Sequence, residues 1–276
     1  MAIRVFLPAL LMLLGCVAVQ PGTITDRGGW VIQRAFLPHR WDASKQVEVL
    51  WTTPRDQGPW PAVLFIHGHQ EQFRPGGEAF VRNGQLGLMA SRGYVAAAVS
   101  QPGYGHSDGP PDFCGPFTQE AVLGVIDFLR TMPVVQPQHV ALYGYSRGAI
   151  VASMVATQDP QLAAVVLGAG AYDFFRWYPT PLPGINANIE REAGTSAEAF
   201  RARSAIVHVE RMKAPILILH GAQDERVPVQ QAQAFAEQLH AKGIAVTVKI
   251  FPHARHGIPI DDQDREIAPF LDASLR

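Results

Sequence analysis

The chain has 276 residues, a formal net charge of −1, 47% hydrophobic and 17% charged residues, and two cysteines. These values exclude a disordered chain and a disulfide scaffold, and they supply no electrostatic footprint for nucleic acid. No Cys/His cluster has zinc spacing, and 25 Gly with 22 Pro, free of any Gly-X-Y period, point to many tight loops.

The first twenty residues read as an address. Arg4 is the only charge before the apolar run Val5 to Leu14, which has the length of a signal-peptide core and is too short to span a bilayer. The run ends in Leu13-Leu14-Gly15-Cys16, which resembles a bacterial lipobox. On that reading Cys16 is lipidated and becomes the mature N-terminus, and Val17 after it favours the outer membrane. Each buried CH₂ of the acyl chains then contributes about 0.8 kcal/mol of anchoring. Cleavage after Ala18, giving a soluble periplasmic or secreted form, is the alternative. Either way Cys114 is left without an intramolecular partner, and fold reasoning starts near residue 21.

From there strands alternate with helices. Val31–Phe36 and Gln46–Trp51 read as short strands, the second strictly alternating. Ala62–Ile66 is a continuous apolar run, as in a strand buried on both faces. Glu78–Ser91 has helical spacing and ends at Gly93; Tyr94–Val99 is a further buried strand; Gln119–Leu129 is a helix stopped by Pro133. Then come strand Val140–Tyr143, helix Arg147–Thr157 and strand Ala163–Leu167. Strand Pro215–Leu219, helix Gln230–Lys242, strand Ala245–Phe251 and a terminal helix Asp261–Leu275 complete the series. This alternation predicts an α/β domain over residues 21–276, with a mostly parallel eight-stranded sheet and helices on both faces. Residues 172–212 interrupt it without a strand and read as a small cap insertion. Its aromatic start (Phe174, Phe175, Trp177) fits an apolar wall for substrate or plain packing of the cap onto the sheet.

Gly144-Tyr145-Ser146-Arg147-Gly148 stands between a strand and a helix, the context of a nucleophile elbow. The sharp turn needs small residues two positions either side of Ser146, and Gly144 and Gly148 supply them. Serine needs a base with a pKa near neutrality, hence His. Two later strands run into His220-Gly221-Ala222-Gln223-Asp224-Glu225-Arg226-Val227-Pro228 and Pro252-His253-Ala254-Arg255-His256-Gly257, both on the sheet's carboxyl edge beside Ser146. Asp224 is the expected acid, ahead of Asp173 and Glu225. His256 is the expected base, ahead of His253, because Gly257 after it allows a tight turn. The oxyanion pocket needs two N–H donors: Arg147 follows the nucleophile, and His69 follows Gly68 in the loop after Ala62–Ile66. His67 reads as structural. Glu71 and Arg74, just past this loop, are solvated charges or contacts to a polar substrate. Pro102-Gly103-Tyr104-Gly105-His106-Ser107-Asp108-Gly109 is neither a Walker sequence nor a dinucleotide fingerprint, and reads as a tight crossover loop beside the site.

Together these blocks resemble an α/β-hydrolase, closest to the catalytic domain of the prolyl oligopeptidase family and to dienelactone hydrolases and acetyl esterases. The resemblance rests on Phe65-Ile66-His67-Gly68, Pro102-Gly103-Tyr104-Gly105, the elbow, and the loops carrying Asp224 and His256, and spans about residues 31–275. It implies a triad of Ser146, Asp224 and His256, with no metal and no organic cofactor. Two departures set it against a peptidase. The segment before the first strand is too short for the β-propeller of oligopeptidases, and Ala149 stands where many of those peptidases have a second Gly. The expected function is therefore a serine hydrolase of carboxylic esters, acting through an acyl-enzyme at the bacterial cell envelope. The alternatives are a peptidase of short peptides and a catalytically silent envelope lipoprotein.

Overall fold

The computed structural model describes residues 22–26 and 28–276; the signal-type run, Cys16 and the alternative cleavage point lie outside them. Among the described residues the strands are β1 (Gly22–Thr25), β2 (Val31–Pro38), β3 (Gln46–Thr52), β4 (Trp60–Ile66), β5 (Val95–Val99), β6 (Val135–Tyr145), β7 (Ala164–Gly168), β8 (Ile216–Gly221) and β9 (Val246–Phe251). They form one sheet in the order β1-β2-β3-β5-β4-β6-β7-β8-β9. β1, β2, β3 and β5 pair antiparallel in succession, and every pairing from β5 through β4 to β9 is parallel.

The sheet thus has nine strands where the sequence suggests eight. The added strand is β1, a four-residue edge strand that is mostly exposed. So short and polar a segment carries no periodic signal, and its pairing with β2 alone makes it a strand.

The period of two along each strand divides the core. In β4, Ala62, Leu64 and Ile66 face one apolar cluster and Val63 and Phe65 the other. Against the first face pack α3 (Pro116–Thr131), α4 (Arg147–Ala156) and α8 (Gln230–Ala241); against the second pack α1 (Glu78–Arg82), α2 (Gln85–Ser91) and α9 (Ile260–Leu275). The single helix expected over Glu78–Ser91 is two. Gly84 adopts φ +78°, and the Asn83 side chain accepts the Gln85 N–H at 3.1 Å, restarting the helix.

Between β7 and β8 lie α5 (Phe174–Trp177), α6 (Pro183–Glu192), α7 (Ala197–Arg201) and a 3-10 helix (Ala205–Arg211), with no strand. Phe174 and Trp177 are buried, whereas Phe175 is exposed. The buried Arg203 guanidinium ties this cap down by donating to the carbonyls of Phe113 (2.8 Å) and Asp112 (2.6 Å).

Candidate active site

The strand-to-helix turn after β6 holds Ser146 at φ +55°, ψ −120°, in the left-handed half of backbone space. Such a turn stores strain and survives only where its surroundings fix it. The Ser146 N–H donates to the Gly168 carbonyl at 2.7 Å. A methyl group at Gly144 would strike the Gly148 carbonyl, and one at Gly148 would strike the Ile66 carbonyl. Both glycines are therefore required by close backbone approach, as the spacing of the elbow implies.

His256 brings its Nε2 to 2.9 Å from Ser146 Oγ and its Nδ1 to 2.8 Å from Asp224 Oδ2. Burial alone would raise the Asp224 pKa. Hydrogen bonds from His220, His256 and the Val227 amide outweigh burial and hold the carboxyl well below the usual carboxylate range. Asp224 Oδ1 accepts the N–H groups of Arg226 (2.8 Å) and Val227 (2.9 Å), and His220 Nε2 lies 3.4 Å from Oδ2 while donating to the Val227 carbonyl at 2.9 Å. The carboxylate is therefore held by three partners besides His256.

The two loops that carry Asp224 and His256 are stitched together. Ala222 N–H donates to the Phe251 carbonyl (2.9 Å) and Gln223 N–H to the Ala254 carbonyl (3.0 Å). Gly221 permits this approach, since a methyl group there would strike the carbonyls of Ala254 and Arg255. The tight turn expected at Gly257 is not what places His256. Gly257 is not among the glycines with positive φ, and a methyl group there would meet open space. The loop is held instead by Tyr145, whose hydroxyl donates to the His256 carbonyl (2.6 Å) and accepts the Ile258 N–H (2.9 Å). Tyr145 occupies a freely variable position of the elbow motif, so its sequence carries no signal for this role.

The competing acids and bases stand apart. Asp173 caps α5, accepting the N–H groups of Phe175 (3.0 Å) and Arg176 (3.3 Å). Glu225 is exposed and pairs with Arg255, and His253 is exposed. His67 is buried, its Nδ1–H on the Gly68 carbonyl (2.8 Å) and its Nε2 accepting the Gln101 N–H (3.1 Å). Among the described residues no three His, Cys, Asp or Glu side chains converge as a metal site.

Arg147 is the first residue of α4, directly after Ser146, so its N–H has no partner within the helix. Gly68, the residue before the other proposed donor His69, packs closely against Ser146. A methyl group at Gly68 would sit 3.1 Å from Ser146 Cβ. The Tyr104 hydroxyl, from the crossover loop, donates to His69 Nδ1 (3.1 Å) and accepts Arg147 Nη1 (3.0 Å). Burial, reinforced by the Arg147 charge, pushes the His69 pKa down, so its imidazole stays neutral beside the oxyanion loop.

The Arg147 side chain is a further feature that sequence reasoning missed. It lies over the Phe113 ring at 3.8 Å and meets Glu192 of α6 at 3.0 Å, both side chains being nearly buried. A cavity of about 630 Å³ lies against the cap, and a second of about 350 Å³ is lined in part by the same residues. His69, Ser146, Arg226 and His256 line both, so the hydroxyl stands at the junction of two lobes. That arrangement suits a substrate whose two halves lie either side of the bond that breaks.

The profile described as the prolyl oligopeptidase family matches residues 81–273. A Bacillus subtilis protein named uncharacterized peptidase YtmA is 25% identical over 199 residues, covering 70% of this chain and 75% of that one. Acylamino-acid-releasing enzyme 1 of Oryza sativa is 24% identical over 237 residues, covering 79% of this chain but 30% of its own length. The chain thus spans about a third of that longer relative. Among solved structures, a Mycobacterium tuberculosis puromycin-hydrolyzing peptidase superposes with TM-score 0.78 at 21% identity, covering 90% of this chain and 40% of its own. An acetyl xylan esterase from Paenibacillus sp. R4 superposes with TM-score 0.74 at 17% identity, covering 94% and 90%. At these identities the two superpositions speak for the α/β-hydrolase fold alone.

Proposed function

Because the chain belongs to the prolyl oligopeptidase family, whose profile covers residues 81–273, we propose that it is a serine hydrolase that cleaves carboxylic esters through an acyl-enzyme. The observation that carries this reading is the continuous path from Ser146 Oγ to His256 Nε2 (2.9 Å) and from His256 Nδ1 to Asp224 (2.8 Å). Ser146 attacks the acyl carbon while His256 takes its proton and returns it to the leaving alcohol. Asp224 holds the imidazole tautomer and steadies the imidazolium. The N–H groups of Arg147 and His69 receive the oxyanion; losing one such donor typically costs about 10²–10³ in rate. Water then repeats the sequence on the acyl-enzyme, with His256 as base.

Ester is favoured over amide on chemical grounds. An alkoxide leaves without strict prior protonation, whereas an amine does not. The peptidase reading is carried by the names of the relatives YtmA and acylamino-acid-releasing enzyme 1. A panel of p-nitrophenyl acyl esters and aminoacyl p-nitroanilides separates the two, the faster kcat/KM naming the bond. Ser146→Ala is expected to lower kcat about 10⁴–10⁶-fold with unchanged circular dichroism, and to abolish fluorophosphonate labelling. Retained turnover in that variant would remove Ser146 as nucleophile, and absence of labelling in the parent protein would favour a silent binding protein.

We also propose that Cys16 carries a lipid and tethers the enzyme to the cell envelope, on the strength of Leu13-Leu14-Gly15-Cys16. Cells fed radiolabelled palmitate should label the parent chain and not Cys16→Ser; a labelled Cys16→Ser protein overturns the tether.

A further inference from the structure

The lobe beneath the cap carries more positive than negative charge. Arg74, Arg147, Arg191 and Arg226 line it, with Glu71 as its one acidic lining residue. Arg147 and Arg191 share a single carboxylate, since Glu192 meets the first at 3.0 Å and the second at 2.9 Å. The acids nearest Arg226 in sequence are engaged elsewhere, Asp224 on His256 and two amides, Glu225 on Arg255. Among the described residues neither Arg74 nor Arg226 takes part in an ion pair. Two of the arginines that line the lobe therefore have no carboxylate of their own.

Both side chains are exposed to solvent, but each rises from an anchored stretch of loop. Arg226 is fixed at both ends of its peptide: its N–H donates to Asp224 Oδ1 at 2.8 Å, and its carbonyl accepts Trp177 Nε1 of the cap at 3.0 Å. It lines both lobes beside Ser146. Arg74 lies over the Tyr104 ring at 5.3 Å, and the same tyrosine hydrogen-bonds His69 of the oxyanion loop. A planar guanidinium pairs a carboxylate through two parallel hydrogen bonds, and each such charge-assisted bond is stronger than a neutral one.

We propose that the cap lobe binds a carboxylate through Arg226 and Arg74, so that the preferred substrates carry a free carboxylate on the half that lies beneath the cap. This inference rests on the hydrolase reading above and narrows it to acidic esters or amides. A substrate presenting a free amine to this lobe meets an excess of guanidinium and is disfavoured.

Two matched pairs test it on the full chain, each rate normalised to hydroxide-catalysed hydrolysis. Mono-p-nitrophenyl glutarate against its methyl ester places the charge on the acyl half. Acetoxybenzoate against its methyl ester places it on the leaving half. In one pair the charged member should exceed the neutral one about tenfold or more in kcat/KM. The ratio should narrow in about 0.5 M salt, as screened charges require. Arg226→Gln and Arg74→Gln should each lower the ratio severalfold. Equal or lower kcat/KM for the charged member in both pairs would overturn this inference and leave the hydrolase reading intact. No Ser146-dependent turnover of any of the four esters would overturn both.

Discussion

His67 sits one residue before the turn that presents the His69 amide, and it is fully buried. Burial, the leading cause, pushes its pKa down to about 4, against an ordinary value of 6.5. The neutral ring is the form the structure uses, because Nε2 must stay unprotonated to accept the Gln101 N–H at 3.1 Å. Below pH 6.5 the unfolded chain takes up a proton that the folded chain refuses down to about pH 4. Stability from this residue is therefore fully present above pH 6.5 and falls as pH drops towards 4, by about 3 kcal/mol in all. Urea midpoints measured from pH 7 to 4 should fall more steeply in the parent than in His67→Gln. Parallel slopes would mean that His67 does not couple to stability. Asp224 adds a slope in the same sense at lower pH. Its carboxyl is held below the carboxylate range, so its contribution is present above the unfolded pKa and is lost as acid protonates the folded form.

At the scale of elements, the catalytic loops are placed by partners that no sequence window contains. Tyr145 at the end of β6 closes on the His256 carbonyl and the Ile258 amide across 111 and 113 residues of chain. Tyr145→Phe removes the hydroxyl and leaves a carbonyl and an amide without it, a loss of about 1–3 kcal/mol. It should also lower kcat about tenfold by loosening the His256 ring relative to Ser146, while KM moves little. Unchanged kcat with lowered stability would make Tyr145 a packing residue only. The contrast with the elbow shows what was legible. β4 through β9, α4 and the Ser146 turn could be read because period, glycine spacing and strand-to-helix context are local properties. Asp224 and His256 could be named because each follows a strand whose carboxyl end had to lie beside Ser146. β1, the break at Gly84 and the Tyr145 tether could not. The first is decided by a neighbouring strand, the second by one backbone angle, and the third by a contact across the sheet's edge. Gly257 is a different case: the sequence suggests a tight turn there, and its backbone does not take a positive φ.

Across the whole molecule, the cap and the nucleophile elbow are joined by charge. Arg147 Nη2 and Glu192 Oε2 face each other at 3.0 Å, nearly buried, without the alignment of a good hydrogen bond. The pair therefore acts chiefly through its charges, and the guanidinium is further held by Tyr104 (3.0 Å) and the Phe113 ring (3.8 Å). Removing one member of a buried pair is costly because the other charge stays desolvated, whereas replacing both by apolar groups is often close to neutral. Glu192→Leu should thus destabilise by about 3 kcal/mol, lowering Tm by about 6–12 °C in a chain of this size. Arg147→Met should cost less, since Glu192 keeps Arg191 at 2.9 Å. Arg147→Met with Glu192→Leu should recover about 1–2 kcal/mol relative to the sum of the single changes. The Arg147 amide survives every one of these substitutions, so any fall in kcat reads the seating of α6 over the site rather than loss of an oxyanion donor. Additive stabilities across the cycle would show that the cap is held by the Phe174, Trp177 and Arg203 contacts alone, and that the elbow and the cap are energetically independent.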